Sequence, residues 1–447
     1  MGMNRREVIA GIGAATVMPA HAWAQDVRER SPLATAAFNA YLYTLPLIES
    51  ATARAGWARA GGQIGKFLHM RAPTTPATQR ITTPNNDTLN SRAWIDLAQG
   101  PVRLRWPATG SRYISVAMMD MYSNNFVVLG SRTTGPDGGA FTIVGPNDMA
   151  PSGAIRSPTR WMWILVRLLV DGDSDLAKAH AIQDAIELDA PTRSDALPAF
   201  AGRAAPWPDY FDSAARLMRE NPGPATDRAM VNLFAPLDFG RFDARRFSAA
   251  EGREIAAGLE SAKAELISHP TSGPAAAGWI YPRADLGDFG QDYLYRAQIA
   301  IAGFAALPVA EAVYLFAAGP RGDLRLDSGA SWRLRLAGDQ LPPNDAFWSL
   351  TMYRMTPEGQ FFLFDNPIRR YSIGDRTSGL RHGPDGGIEI VMQREAPAQA
   401  DRANWLPTPH DAPFGLVFRV YRPRPAVLDG PWRLPAIEQL EGSGTPA

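Results

Sequence analysis

Gly130-Ser131-Arg132-Thr133-Thr134-Gly135-Pro136-Asp137-Gly138-Gly139 has an echo further along the chain, in Gly374-Asp375-Arg376-Thr377-Ser378-Gly379 followed by Gly383-Pro384-Asp385-Gly386-Gly387. Each copy follows an aromatic, strand-like run, Tyr113-Ile114-Ser115-Val116 in the first and Trp348-Ser349-Leu350-Thr351 in the second. An asparagine turn, Asn124-Asn125 or Asn366-Pro367, precedes each copy as well. Proline sets φ and the paired glycines accept positive φ, so the shared proline–aspartate–diglycine segment is a turn between strands. Strand, turn and strand recurring in one order mark a duplicated unit. We therefore expect a mainly β fold with an α-helical middle segment, in which two antiparallel β-sandwich units of jelly-roll type are joined by helices. The repeated arginine–threonine pair reads as a loop-fixing element, which lowers the standing of Arg132 and Arg376 as catalytic groups.

Working outward, residues 81–144 alternate short β-rich runs with turn residues, at Arg92–Leu97, Arg112–Met119, Phe126–Leu129 and Phe141–Val144. Trp161–Val170 is apolar except at Arg167 and reads as a strand buried on both faces. Beyond Asp171 helices are expected at 174–187, 208–220, 248–268 and 291–304, the third opened by a Ser248/Glu251 capping box. Strand texture returns after Leu324, at Trp332–Leu336, Phe347–Tyr353, Phe361–Phe364, Ile388–Gln393 and Phe414–Tyr421. The expected division is an N-terminal sandwich over 25–170, a helical connecting region over 171–320 and a C-terminal sandwich over 321–447.

Residues 1–24 read as an address. Arg5-Arg6, a weakly apolar stretch and Ala22-Trp23-Ala24 follow the order of a twin-arginine export signal with cleavage near Ala24, which predicts a periplasmic or secreted protein. No later apolar run has the roughly 18–20 residues of a membrane span, so the mature chain is expected to be soluble.

Composition removes several classes. The 45 Lys plus Arg balance 45 Asp plus Glu across 447 residues, which argues against a nucleic-acid partner. There is no cysteine, so disulfides, iron–sulfur clusters and thiolate zinc sites are excluded. No haem or nucleotide signature is present either: Gly61-Gly62-Gln63-Ile64-Gly65-Lys66-Phe67 lacks the spacing and the hydroxyl of a phosphate-binding loop. Asp171-Gly172-Asp173-Ser174-Asp175 begins like a calcium loop, but Leu176 and Ile182 stand where glycine and the last carboxylate belong. No serine-nucleophile elbow or zincin helix occurs. A divalent metal on carboxylates stays open.

Two polar clusters in the first unit carry the candidate chemistry. Asn85, Asn86, Asp87 and Arg92 lie in one turn plus strand, and Asp120, Tyr122 and Asn124 lie where another strand ends. Were the clusters to meet, Asp87 and Asp120 would form a carboxylate pair able to divide acid and base roles, with Asn85, Asn86 and Arg92 holding substrate. In the second unit Trp348, Tyr353, Arg370 and Trp405 supply aromatic faces and a carboxylate-binding guanidinium for a small-molecule ligand. The competing reading of all these groups is structural, because Asn and Asp bond their own backbone in turns and large aromatics fill sandwich cores.

Pro84–Leu89, Trp94–Leu97, Arg112-Tyr113, Met119-Asp120, Asn124–Phe126 and Leu129–Gly135 resemble the domain of unknown function 1254. Phe347–Tyr353, Asn366-Pro367, Arg370-Tyr371, Asn404–Pro407, Arg419–Tyr421 and Pro431-Trp432 resemble its usual partner, the domain of unknown function 1214. Asp292–Leu294 and Arg296-Ala297 fit the connecting helices of that architecture. Asn90 departs from the family's usual tyrosine, and Ser328–Trp332 from its glycine–serine…tyrosine pattern. The resemblance implies exported proteins with two sandwich domains, often self-associating as homo-oligomers, and assigns no chemistry; likeness to glycan-active amidases is one of fold. The reading that follows is an exported hydrolase or lyase for a small polar or carbohydrate-like substrate, acting through carboxylates of the N-terminal domain. Its alternative is a non-catalytic periplasmic ligand-binding or assembly module.

Overall fold

The computed structural model describes residues 30–440 except 193–196, 270 and 321. The export-signal reading lies outside the described residues. Helix α1 (Pro32–Arg59) leads into β1 (Leu68–His69), β2 (Thr88–Asp96), β3 (Val102–Trp106), β4 (Ile114–Asp120), β5 (Asn125–Gly130), β6 (Gly139–Val144), β7 (Ile155–Arg156) and β8 (Trp161–Leu169). Next come α2 (Leu176–Asp184), β9 (Glu187–Asp189), α3 (Trp207–Glu220), α4 (Arg228–Leu233), α5 (Ala249–Ser268), β10 (Ala275–Ala276), β11 (Trp279–Ile280) and α6 (Tyr293–Ala302). The second β region holds β12 (Ala312–Ala317), β13 (Trp332–Leu336), β14 (Asn344–Met355), β15 (Phe361–Phe362), β16 (Ser372–Gly374), β17 (Ile388–Gln393), β18 (Trp405–Pro407) and β19 (Phe414–Pro423), then α7 (Pro425–Leu428) and β20 (Ile437–Gln439).

The duplication expected from the echo extends through the topology. One sheet runs β1-β2-β8-β4-β5 and its counterpart β10-β11-β12-β19-β14-β15, with β16 also on β14. Behind them stand β7-β6-β3-β9 and β18-β17-β13-β20, each with one parallel pair at the same place, β6–β7 and β17–β18. Strand alternation builds these layers: Val102, Leu104 and Trp106 of β3 point inward while Arg103 and Arg105 face water, and Trp332, Leu334 and Leu336 repeat that pattern in β13. The sheets draw on residues beyond the limits of 170 and 321, since β9 pairs with β3 in the back sheet of the first unit and β12 is an interior strand of the front sheet of the second.

The register matches the units residue by residue. Ser115 pairs with both Arg167 and Gly130; Ser349 pairs with both Arg419 and Gly374. The repeated threonines fix their loops by different bonds: Thr377 Oγ1 accepts from Gly374 N–H at 2.9 Å, whereas Thr133 Oγ1 donates to Val128 O at 2.9 Å and the next residue, Thr134, accepts from Gly130 N–H at 3.1 Å.

Each unit has a core between its sheets, and β8 is buried on both faces because a helical layer covers its other side. That layer gathers α3 to α6 around α1, a 28-residue helix capped by Ser31 and buried on nearly every side. The Ser248/Glu251 capping box closes as expected, at 3.3 and 2.7 Å. No helix among the described residues is long and apolar enough to cross a membrane.

Candidate functional site

The units meet through Tyr113, Phe347 and Tyr421, with Phe347 stacked on Tyr421 at 4.1 Å and Tyr113 edge-on to both. Register makes Thr88, opposite Leu169, the counterpart of Ala312, opposite Tyr421. The residues just before them, Asp87 and Glu311, are therefore matched acids at the seam, and each reaches into the opposite unit.

Their surroundings differ. Glu311 accepts from Tyr113 OH at 2.8 Å and from Arg132 Nε at 2.6 Å, so both oxygens of this buried carboxylate are engaged and its charge is neutralised. Asp87 is also buried, but its Oδ2 accepts only from Ser349 Oγ, at 2.8 Å, and among the described residues it has no ion pair. Phe347, which brings no hydroxyl, stands where the first unit has Tyr113. Arg376, the counterpart of Arg132, turns to Asp171 at 3.3 Å and lies over the Phe347 ring at 4.0 Å.

A second carboxylate joins Asp87. Ser131 Oγ accepts from Ile114 N–H at 3.0 Å in the first unit; in the second, Asp375 takes the same place and its oxygens accept from Trp348 N–H at 3.3 Å. Asp87 and Asp375 thus bind consecutive residues of β14. Asp375 is exposed as a residue, yet its carboxylate turns into the crowded seam. Burial there, with the Asp87 charge adding to it against Arg376 and Trp348 N–H, pushes its pKa up to about 6.

The segment ahead of Asp87 is held on the second unit. Asn85 Nδ2 donates to Tyr421 OH at 2.7 Å, Asn85 Oδ1 accepts from Asp87 N–H at 2.6 Å, and Tyr353 OH donates to Pro84 O at 2.8 Å. Buried Arg419 bonds Thr351 at 2.9 Å and Tyr353 at 2.8 Å. Burial opposes its charge, but Tyr353, Tyr421 and Asp87 outweigh that and hold its pKa above the usual range. Thr83 has φ of 51°, an uncommon conformation for a β-branched residue, fixed by its N–H bond to Phe361 O at 2.8 Å. Asn86 Oδ1 is buried without a partner among the described residues.

The other residues singled out in the sequence lie apart from this pair. Asp120 stands opposite Met162 at one end of β8 while Thr88 stands opposite Leu169 at the other, about 23 Å along a strand rising roughly 3.3 Å per residue. Asp87 and Asp120 therefore form no carboxylate pair. Asp120 closes a turn, accepting from Tyr122 N–H at 2.9 Å, Asn124 N–H at 3.0 Å and Asn124 Nδ2 at 3.1 Å; burial raises its pKa and the Asn124 bonds oppose that. Tyr122 OH donates to Asn221 O at 2.9 Å, in a buried group with Tyr43, Tyr293, Asp227 and Arg296. Arg92 lies further along β2, opposite Leu165, away from Asn85 and Asn86. Trp348 stacks on Phe418 in the sandwich core, Trp405 donates to Gln393 O at 2.9 Å, and Arg370 clamps the carbonyls of Arg402, Ala403 and Trp405. No three metal-ligating side chains gather among the described residues. Asp375, Ser349, Arg419 and Tyr421 were not singled out as site residues by the sequence; the signal for Asp375 lay in the echo, which has Ser131 in one copy and an acid in the other.

Two family profiles match the chain, Protein of unknown function (DUF1254) over residues 64–190 and Protein of unknown function (DUF1214) over 311–425. No curated protein matches. The crystal structure of the VPA0106 protein from Vibrio parahaemolyticus is similar with a TM-score of 0.70 at 20% identity, over 92% of this chain and 100% of that one, a likeness of fold. An uncharacterized protein from Burkholderia cenocepacia aligns over 89% of this chain and 86% of its own with a TM-score of 0.42 at 13% identity.

Proposed function

The chain belongs to the family that joins DUF1254 and DUF1214 in one polypeptide, and on that premise we propose a hydrolase or lyase for a small polar or carbohydrate-like substrate, working at the seam between the two units. The observation that carries this reading is the broken symmetry of the seam acids. Glu311 is neutralised by Tyr113 and Arg132, whereas Asp87 keeps one serine hydroxyl and gains a second carboxylate beside it. Two carboxylates whose environments differ can divide a proton transfer. Asp375, pushed up to about 6, holds its proton longer and donates it to a leaving oxygen; Asp87 takes the proton from water or from carbon. Ser349 orients Asp87, and Asn85 with Tyr421 holds the segment that delivers it. The arginine pair and Ala22-Trp23-Ala24 support an exported, periplasmic setting.

The test is to screen the exported protein against glycosides, uronates and small amides, then compare Asp87→Asn and Asp375→Asn on any substrate turned over. The expected loss is about 100-fold or more in kcat, as for a removed general acid or base, with the Asp87→Asn thermal midpoint within about 2 °C of wild type and Asp375→Asn at least as stable as wild type at neutral pH. Glu311→Gln serves as the structural control and should cost about 2–3 kcal/mol by unfitting a buried ion pair. Retained turnover in both aspartate variants would overturn the carboxylate pair as the catalytic groups, and no turnover of any of these substrates by the wild type would leave the non-catalytic ligand-binding or assembly reading in its place.

A further inference from the structure

The helix-facing side of the first sheet carries donors that the fold leaves without acceptors. Along β2, Leu89, Ser91, Ala93 and Ile95 face α2 and the core between the sheets, while Asn90, Arg92 and Trp94 face the other way. Register sets three rows across β2, β8 and β4: Asn90–Arg167–Ser115, Arg92–Leu165–Ala117 and Trp94–Trp163–Met119. Arg92 and Arg167 are diagonal neighbours on this face, roughly 7–8 Å apart at Cα in such a pairing. Arg92 Nε, Arg167 Nη1 and the indole N–H groups of Trp94 and Trp163 are all buried and unbonded among the described residues. Buried donors are almost always satisfied, so four on adjacent rows point to a missing acceptor.

Charge tells the same story. Neither arginine has an ion pair among the described residues, and burial alone lowers the Arg92 pKa, with no nearby acid to restore it. The one bond Arg167 makes is from Nη2 to Ala305 O at 2.7 Å, where Ala305 itself sits at φ of 68°. In the second unit the matching arginine, Arg419, is fully engaged by Thr351, Tyr353 and Thr83 O, and Phe316 stands where the first unit has Arg92. Doubling of the cation and loss of its partners are thus confined to one copy of a duplicated sheet. Trp163, stacked on Trp94 at 5.4 Å and on Phe304 at 5.6 Å, forms an aromatic wall beside the arginines. Asn90, Arg92, Arg167 and Phe304 are half-buried, so the strip keeps contact with solvent.

We propose that Arg92 and Arg167 form a binding site for the oxyanion, carboxylate or phosphate, of a small ring-bearing molecule whose body lies against half-buried Phe304, which caps the buried Trp94–Trp163 stack. Paired guanidinium forks match the planar acceptors of such a group, and the indole N–H donors have acceptors only when it is present. The site lies on the same face of the first sheet as the seam, with Arg167 one row from Thr88, and its binding does not require catalysis by the Asp87–Asp375 pair.

Calorimetric titration of the full exported chain with benzoate, phenyl phosphate and neutral benzyl alcohol tests it. At least one of the two anions should bind while the alcohol does not, and the tighter of the two assigns carboxylate or phosphate. Arg92→Gln and Arg167→Gln should each weaken binding about tenfold or more, as expected for loss of a charge-assisted fork. Arg92→Lys, which keeps charge and stem, should weaken it as well, because an ammonium has no fork. Absence of binding by both anions, or wild-type affinity in the folded Arg92 and Arg167 variants, would overturn the proposal.

Discussion

Ser131 and Asp375 hold one backbone N–H in each unit, and the exchange of a hydroxyl for a carboxyl is what sets the seam chemistry apart from its structural twin. That exchange has a pH signature. A carboxyl whose pKa rises from the ordinary 3.8 to about 6 on folding favours the folded state while protonated. Its contribution is complete below about 3.8 and is lost as pH rises through about 6, so the native protein is relatively weakened by this group at neutral pH. Thermal melts from pH 4 to 7 should therefore show Asp375→Asn gaining on wild type across that window. Parallel curves would mean that Asp375 meets ordinary solvent in the fold. Thr83 and Ser123, both at positive φ, lie four residues before Asp87 and three after Asp120; Thr83 N–H is held by Phe361 O of the second unit and Ser123 N–H by Asp120 O of its own turn.

At the level of elements, the glycines of the echo are set by close approach of strands. A Cβ on Gly130 would lie 2.3 Å from Ile114 O, and one on Gly374 would lie 2.2 Å from Trp348 O. Gly130 also has φ of 121°, where other residues are strained. Gly130→Ala and Gly374→Ala should each destabilise the protein by more than about 1 kcal/mol in urea titrations. Wild-type midpoints in both would show that the β4–β5 and β14–β16 edges shift freely, against the tight register seen here. Elements with local punctuation were legible in the sequence, including the turns, the strands flanking them and the capped helix α5. Helix α1 was not legible. It is buried nearly all round by α3 to α6, so its apolar residues follow no single stripe, and Pro46 interrupts its pattern without ending it.

Across the whole molecule, the seam couples the two units through polar bonds in both directions. Tyr113 and Arg132 reach Glu311 from one side; Ser349, Tyr421 and Tyr353 hold Asp87, Asn85 and Pro84 from the other. The helical layer packs on the first sheet, and its 303–307 connection lies over Arg167 and leads into β12. Calorimetry should accordingly record one cooperative unfolding transition for both sandwiches. Two resolved transitions would show the seam bonds to be too weak to link them.

The sequence by itself determined the duplicated β units, the helical segment between them, the turn chemistry of the echo and the family, because each is written in neighbouring residues and their spacing. Which acids meet was decided only by the tertiary structure. Asp87 and Asp120 are near in sequence but stand at opposite ends of β8, whereas Asp375 comes from the other unit and lands beside Asp87. Strand register and the facing of two units set those distances, the first by pairing between residues tens of positions apart and the second by packing between residues hundreds apart, which no local pattern records.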